Sequence, residues 1–164
     1  MTGTAAQIIR WLVGQKPETI WEIKKQRKKR TLSQNAYYWQ LIGKMADALR
    51  EPKTRVHNEM LRSYGQAHGI DGRLVTVTIP DTEKAWEEAI RSSTLHIAPT
   101  SQVHLGTKNQ MFRTYILLKG SHEMTTEEMS VLLDGTITEA QQLGIETLKP
   151  AELEAMKLAE YLAD

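Results

Sequence analysis

The sequence predicts an α+β fold, a small mixed or antiparallel sheet packed with several helices and closed by a C-terminal helical pair. Three observations carry that expectation. Of 164 residues, 40% are hydrophobic, enough for one core without staples, and there is no cysteine to make any. Segments of helical period and segments of strict alternation both occur along the chain. They follow one another without a regular strand–helix–strand order and without an internal repeat, which favours α+β over a parallel α/β sheet.

Taken in order, Thr4 to Val13 reads as a short helix with apolar Ile8, Ile9, Leu12 and Val13, ended by Gly14 and Pro17. Thr19 to Arg27 alternates, with Trp21 and Ile23 opposite Glu22 and Lys24, as a half-buried strand does. Thr31 and Gln34 form a T-x-x-Q capping box that opens a helix whose buried stripe is Tyr38, Leu41, Ile42, Met45 and Leu49. Pro52 ends that helix and starts another, with stripe Val56, Met60, Leu61 and Tyr64. Gly65, Gly69 and Gly72 mark a flexible connection.

Arg73 to Ile79 is β-branched and alternating, and so reads as one strand. Asp81 is placed to cap a helix through Trp86 and Ile90. Thr94 to Ala98 and Met111 to Leu118 read as strands, joined by a polar connection from Pro99 to Gln110. Thr125 with Glu128 makes another capping box, for a helix through Met129, Leu132, Leu133, Ile137, Ala140 and Leu143, and Gly144 stops it. Pro150 starts a last helix through Leu153, Met156, Ala159 and Leu162.

A net charge of +1 conceals a division of the chain. Residues 1–65 carry 13 Lys/Arg against 5 Asp/Glu, a net of +8, whereas residues 66–164 carry 8 against 15, a net of −7. One domain over 1–164 is expected, with a basic lobe near 1–68 and an acidic one near 69–164. The basic portion is suited to attract polyanions. Without cysteine, disulfides, thiolate metal sites and cysteine nucleophiles are excluded, which agrees with a reducing cytoplasm. No apolar run approaches a membrane span, and the start of the chain lacks a signal-peptide pattern.

Charge is densest where six of the seven residues from Lys24 to Arg30 are cationic: Lys24, Lys25, Arg27, Lys28, Lys29 and Arg30. Strand-then-loop geometry would fan these side chains outward along a phosphate backbone. The helix start with Gln34 and Asn35 follows, and then Tyr37, Tyr38 and Trp39. Dense cations beside flat rings suit a single-stranded nucleic acid, which needs neutralising and offers unpaired bases for stacking. Gln34 has a structural duty in the capping box, and amides at a helix N-terminus can contact phosphate along with the free backbone N–H groups. Tyr38 fits the core, which leaves Trp39 and Tyr37 for the bases.

The segment Arg30-Thr31-Leu32-Ser33-Gln34-Asn35, with Trp39 four residues after the asparagine, resembles the motif of the NinB/Orf recombination proteins of lambdoid phages. The strand Tyr115 to Leu118, the turn Gly120-Ser121-His122 and the helix with Glu128, Met129, Leu132 and Leu133 are similar to that family's final strand–turn–helix. The resemblance implies a homodimeric recombination mediator in the bacterial host's cytoplasm. Such a protein binds single-stranded DNA, assists a recombinase, annealing protein or single-strand-binding protein, and catalyses nothing itself. It implies a basic segment lining a channel shared by two subunits, with Gln34 or Asn35 facing that channel.

Two competing functions belong to other classes. A structure-specific, metal-dependent nuclease needs clustered hard ligands. Asp71, Asp81, His96, His104, His122 and Glu123 are scattered in sequence, and no H-E-x-x-H, D-x-D, Walker A or G-x-S-x-G motif is present. A protein–protein adaptor would use the basic segment to dock an acidic partner. The expected site therefore has no catalytic residue, no metal and no cofactor.

Overall fold

The computed structural model describes residues 4–16, 19–20 and 32–162, and among them the architecture is α+β. Helix α1 (Ala5–Leu12) is opened by Thr4, whose side chain accepts from Gln7 N while Gln7 reaches back to Thr4 N. The strand expected over Thr19 to Arg27 and the cap expected at Thr31 fall almost wholly outside the described residues; Thr19 and Ile20 are in neither helix nor strand.

The main core is helical. Helices α2 (Leu32–Leu49), α3 (Lys53–Tyr64) and α5 (Thr126–Gln142) pack on one another and bury Tyr38, Leu41, Ile42, Leu61, Met129, Leu132 and Leu133 completely or nearly so. Each such side chain gains about 1.5–3 kcal/mol over an exposed one. Helix α6 (Pro150–Leu162) adds Leu153 and Met156 at the margin. Helices α3 and α5 approach closely because Gly135 faces the ring of Tyr64: a Cβ there would lie 2.2 Å from Tyr64 Cγ. The α5 capping box forms as expected, with Thr125 N donating to Glu128 Oε2 and Glu128 N to Thr125 Oγ1. Gly144 stops the helix at φ +72°. The stripes overran at their ends: Leu49, Leu143 and Ala159 are exposed, since each lies at or near the last turn, past the helices they would face.

Two small antiparallel sheets follow α3. The expected flexible glycine connection is instead a hairpin of β1 (Gly69–Ile70) and β2 (Arg73–Leu74). Its central residues Asp71 and Gly72 have φ of 49° and 75°, the doubly left-handed turn that an Asp-Gly pair favours. The single strand expected from Arg73 to Ile79 is therefore interrupted at Val75, and β3 (Thr76–Pro80) belongs to the second sheet. That sheet has the order β3-β5-β4, with β4 at Ile97–Leu105 and β5 at Met111–Leu117.

Strand β4 starts three residues later than expected and absorbs half of what reads as a polar connection. Pro99 pairs with Tyr115 and Val103 with Arg113, and the irregularity between them is closed by Thr100 Oγ1 donating to Thr114 O. Helix α4 (Glu83–Ile90) covers one face of the sheet. There Trp86 stacks on Tyr115, and Ala89, Ile97, Val77, Ile79 and Leu117 complete a second small core. Its cap is Thr82, which accepts from Ala85 N, and not Asp81. Asp81 is taken by Arg113, whose Nε and Nη2 reach its two oxygens at 2.9 and 3.1 Å.

Candidate functional site

The cations Lys24, Lys25, Arg27, Lys28, Lys29 and Arg30 lie outside the described residues. The helix they lead into is described from Leu32, and it sorts the other candidate residues by depth. Gln34 is buried, 1% exposed. Asn35 is half-buried, and its Oδ1 is shielded from solvent without a hydrogen-bond partner among the described residues. Tyr37 is half-buried against the core, and its hydroxyl accepts from Leu148 N at 2.7 Å. Tyr38 is fully buried. Only Trp39 of the three aromatics is exposed, at 37%. It lies four residues from Asn35, so the two share one face of α2.

Trp39 heads a contiguous line of rings. Its indole lies against the imidazole of His57 with centroids 4.5 Å apart. His57 meets His96 edge to face at 5.1 Å. Gly120 joins His96 to His122: a Cβ on it would stand 2.8 Å from His122 Cε1 and 3.5 Å from His96 Cδ2. The two middle rings are buried and the outer two exposed. Three elements supply the line, namely α2, α3 and the segments flanking the β4–β5 hairpin. Leu118 N donates to His96 O at 2.8 Å, so the chain leaving β5 runs beside His96, and the turn at Gly120 brings His122 back.

Hydrogen bonds set the protonation of the buried pair. Asn58 Nδ2 donates to Ile90 O and Ser92 O at 2.7 and 2.8 Å, which fixes the amide. Its Oδ1 therefore faces His96 Nδ1 at 2.6 Å and accepts the proton there, leaving Nε2 with the lone pair. Tyr38 is held protonated because burial raises its pKa, and its hydroxyl shares a hydrogen bond of 2.6 Å with His57 Nδ1. His57 is pushed down to about 3, chiefly by burial and further by His96 and His122. His96 is lowered by burial and by His122, with Glu123 opposing. At neutral pH the floor of the site is uncharged and polar, with an indole at one end.

This arrangement brings His96 to the adjacent pair His122 and Glu123, but not to His104, Asp71 or Asp81. His104 stacks on Phe112 in the hairpin, Asp71 sits in the β1–β2 turn, and Asp81 pairs with Arg113. Among the described residues no three His, Asp or Glu side chains are placed to hold a metal ion. Glu123 Oε2 accepts from Gly120 N at 3.0 Å. His57 and Asn58 were not singled out by sequence. Their one signal is position, since His57 is buried in α3 between stripe residues Val56 and Met60, where a polar side chain needs a partner.

Compared with protein-family models, with curated proteins and with solved structures, the chain matches none. Among the described residues no helix is long and apolar enough to cross a membrane.

Proposed function

We propose that this protein binds single-stranded DNA and acts as a non-catalytic recombination mediator. The observation that carries the reading is Trp39: an exposed indole, backed by His57, on the helix that follows six cations in seven residues. Lys24 to Arg30 neutralise phosphates, and Trp39 offers a stacking face. Tyr37, tied to Leu148, serves the fold first. The motif from Arg30 to Trp39 adds the family expectation of a homodimer. Its partner would be a recombinase, an annealing protein or a single-strand-binding protein in the cytoplasm of a bacterial host.

The test is a fluorescence titration of labelled single-stranded oligonucleotides at two salt concentrations. Affinity should fall with salt at a log–log slope of about −0.7 per neutralised phosphate. Lys28→Ala with Lys29→Ala should flatten that slope while circular dichroism stays unchanged. Binding without salt dependence, or none, rejects the reading. Labelled branched and linear DNA incubated with Mg²⁺ or Mn²⁺ should remain uncut, and cleavage would favour the nuclease instead.

A further inference from the structure

Where the first turn of α4 meets the sheet there is a pocket of about 420 Å³, lined by Asp81, Thr82, Glu83, Trp86, Arg113 and Tyr115. That is the size of a small-molecule site. Arg113 and Tyr115 lie two residues apart on β5 and so share the face that α4 covers. Trp86 is a fixed wall, because it stacks on Tyr115 with centroids 5.7 Å apart and holds the Arg62 guanidinium of α3 4.7 Å from its ring centre.

Tyr115 is only 3% exposed, yet its hydroxyl is not bonded within the fold. The hydroxyls of Tyr37, Tyr38 and Tyr64 are bonded to Leu148 N, His57 Nδ1 and Glu139 Oε1. That of Tyr115 has no partner among the described residues, although it is not sealed from solvent, and the opening beside it is this pocket. Buried polar groups are almost always bonded, so a tyrosine packed this deeply with a free hydroxyl marks a place for a group from outside.

The charges decide which group. Arg113 is spent: Nε and Nη2 reach the two oxygens of Asp81 at 2.9 and 3.1 Å, and Nη1 donates to Thr100 O at 3.0 Å. Asp81 is thereby neutralised as well. Glu83 is left as the lining charge without an ion-pair partner among the described residues. Deeper in, the Tyr115 phenol is pushed up by burial and then by Asp81, with Arg113 opposing less, so the field at the hydroxyl is negative too. An anion at the start of α4 would face Glu83 and find Ala85 N already bonded to Thr82 Oγ1. An inorganic divalent cation needs more oxygen ligands than one free carboxylate and a hydroxyl supply. The rings of Trp86, Tyr115 and Pro99 suit hydrocarbon instead.

We propose that this pocket binds an organic cation, an ammonium or guanidinium group on a hydrocarbon stem, with Glu83 as its counter-charge and the Tyr115 hydroxyl as a second contact. A free amine or guanidine and a Lys or Arg side chain of a partner protein carry the same chemistry. The proposal does not rest on the reading of the chain as a single-strand binder.

The test titrates the full chain with butylguanidinium and butylammonium by calorimetry, with butylurea as the neutral isostere and inorganic phosphate as the anion. Amide NMR locates the site. Each cation should bind once, about tenfold or more tighter than butylurea, and should shift signals from Thr82 to Trp86 and from Arg113 to Tyr115. Glu83→Gln should weaken the cations about tenfold and leave butylurea unchanged. Tyr115→Phe should weaken them as well, yet unfold at the temperature of the wild-type chain because no internal bond is lost, and circular dichroism checks both variants. Cations that bind no better than butylurea overturn the proposal. So does a Glu83→Gln variant of unchanged affinity, and so does phosphate binding in the pocket. A blocked Ala-Arg-Ala peptide, with citrulline in place of arginine as control, separates the sources. Binding tighter than butylguanidinium assigns the pocket to a partner's side chain, and binding of the free cations alone assigns it to a small molecule; either keeps the proposal.

Discussion

Asn58 Oδ1 and His96 Nδ1 lie 2.6 Å apart and share a proton donated by the imidazole. The amide that makes this contact spends both of its own N–H groups on the carbonyls of Ile90 and Ser92. One side chain of α3 thereby ties the end of α4 and the approach to β4 together, and orients a histidine as it does so.

Asn58→Ala is expected to destabilise the protein by about 3 kcal/mol, because two carbonyls and one imidazole N–H lose partners in a buried place. Asn58→Asp keeps the shape but has no N–H to donate, so it should also destabilise and should raise the His96 pKa. Urea unfolding for both variants, with His96 followed by NMR titration in Asn58→Asp, checks this. A cost for Asn58→Ala below about 0.5 kcal/mol would contradict the bonding described.

Acid should unfold the protein partly through His57. Its folded pKa of about 3 lies below the ordinary 6.5, so below pH 6.5 the unfolded chain binds a proton the folded chain refuses. Stability is then lost as pH falls from about 6.5 towards 3, with a slope approaching 1.4 kcal/mol per pH unit for this one proton. His96, shifted the same way, adds to it. His57→Gln should be less stable at pH 7 but show a shallower decline with acid. Unfolding free energies at several pH values give both slopes, and parallel slopes would remove His57 from the account.

Trp39→Ala should weaken single-strand binding by about 1–3 kcal/mol, the usual worth of one stacking platform. Tyr37→Phe should leave binding unchanged and cost about 1 kcal/mol of stability, because Leu148 N loses its acceptor. Measured side by side, affinity and stability should separate between the two variants. A large affinity loss in Tyr37→Phe would reverse their roles.

Gly135→Ala should be among the most damaging single-methyl additions. Its Cβ would meet the ring carbons of Tyr64 at 2.2–2.6 Å, and that ring is wedged between α3 and α5 with its hydroxyl bound to Glu139. A loss of about 1–3 kcal/mol or more is expected. Tyr64→Leu in the same chain should restore part of it, and thermal unfolding of the single and double variants measures the recovery.

Features confined to one turn of chain were legible from sequence. The Thr125–Glu128 box and the Gly144 stop involve residues three or fewer positions from the backbone groups they serve or at a single torsion, and both appear as read. Helix stripes were legible in their middles and failed at Leu49 and Leu143, where burial depends on how far a neighbouring helix extends. Asp81 was misread because a carboxylate before a helix satisfies the capping pattern equally well, and only the fold brings Arg113 from β5 to claim it. Strand β4 hid behind Pro99 and polar side chains, which tolerate an edge but carry no alternation to recognise. The ring line was illegible for a deeper reason. His57 comes from α3, His96 from the chain before β4 and His122 from the turn after β5, and no local pattern encodes their meeting.

The irregularity in β4 has a consequence of parity. Between the Pro99–Tyr115 and Val103–Arg113 pairings the chain advances four residues on β4 and two on β5. The surplus is even. Because neighbouring side chains of a strand point to opposite sides, an even surplus returns Val103 and Leu105 to the side that Ile97 and Pro99 occupy. An odd one would have exchanged them with His104 and broken its stack on Phe112. Length changes between Pro99 and Val103 should therefore be tolerated in steps of two and refused in steps of one, so the hairpin can lengthen or shorten without turning over.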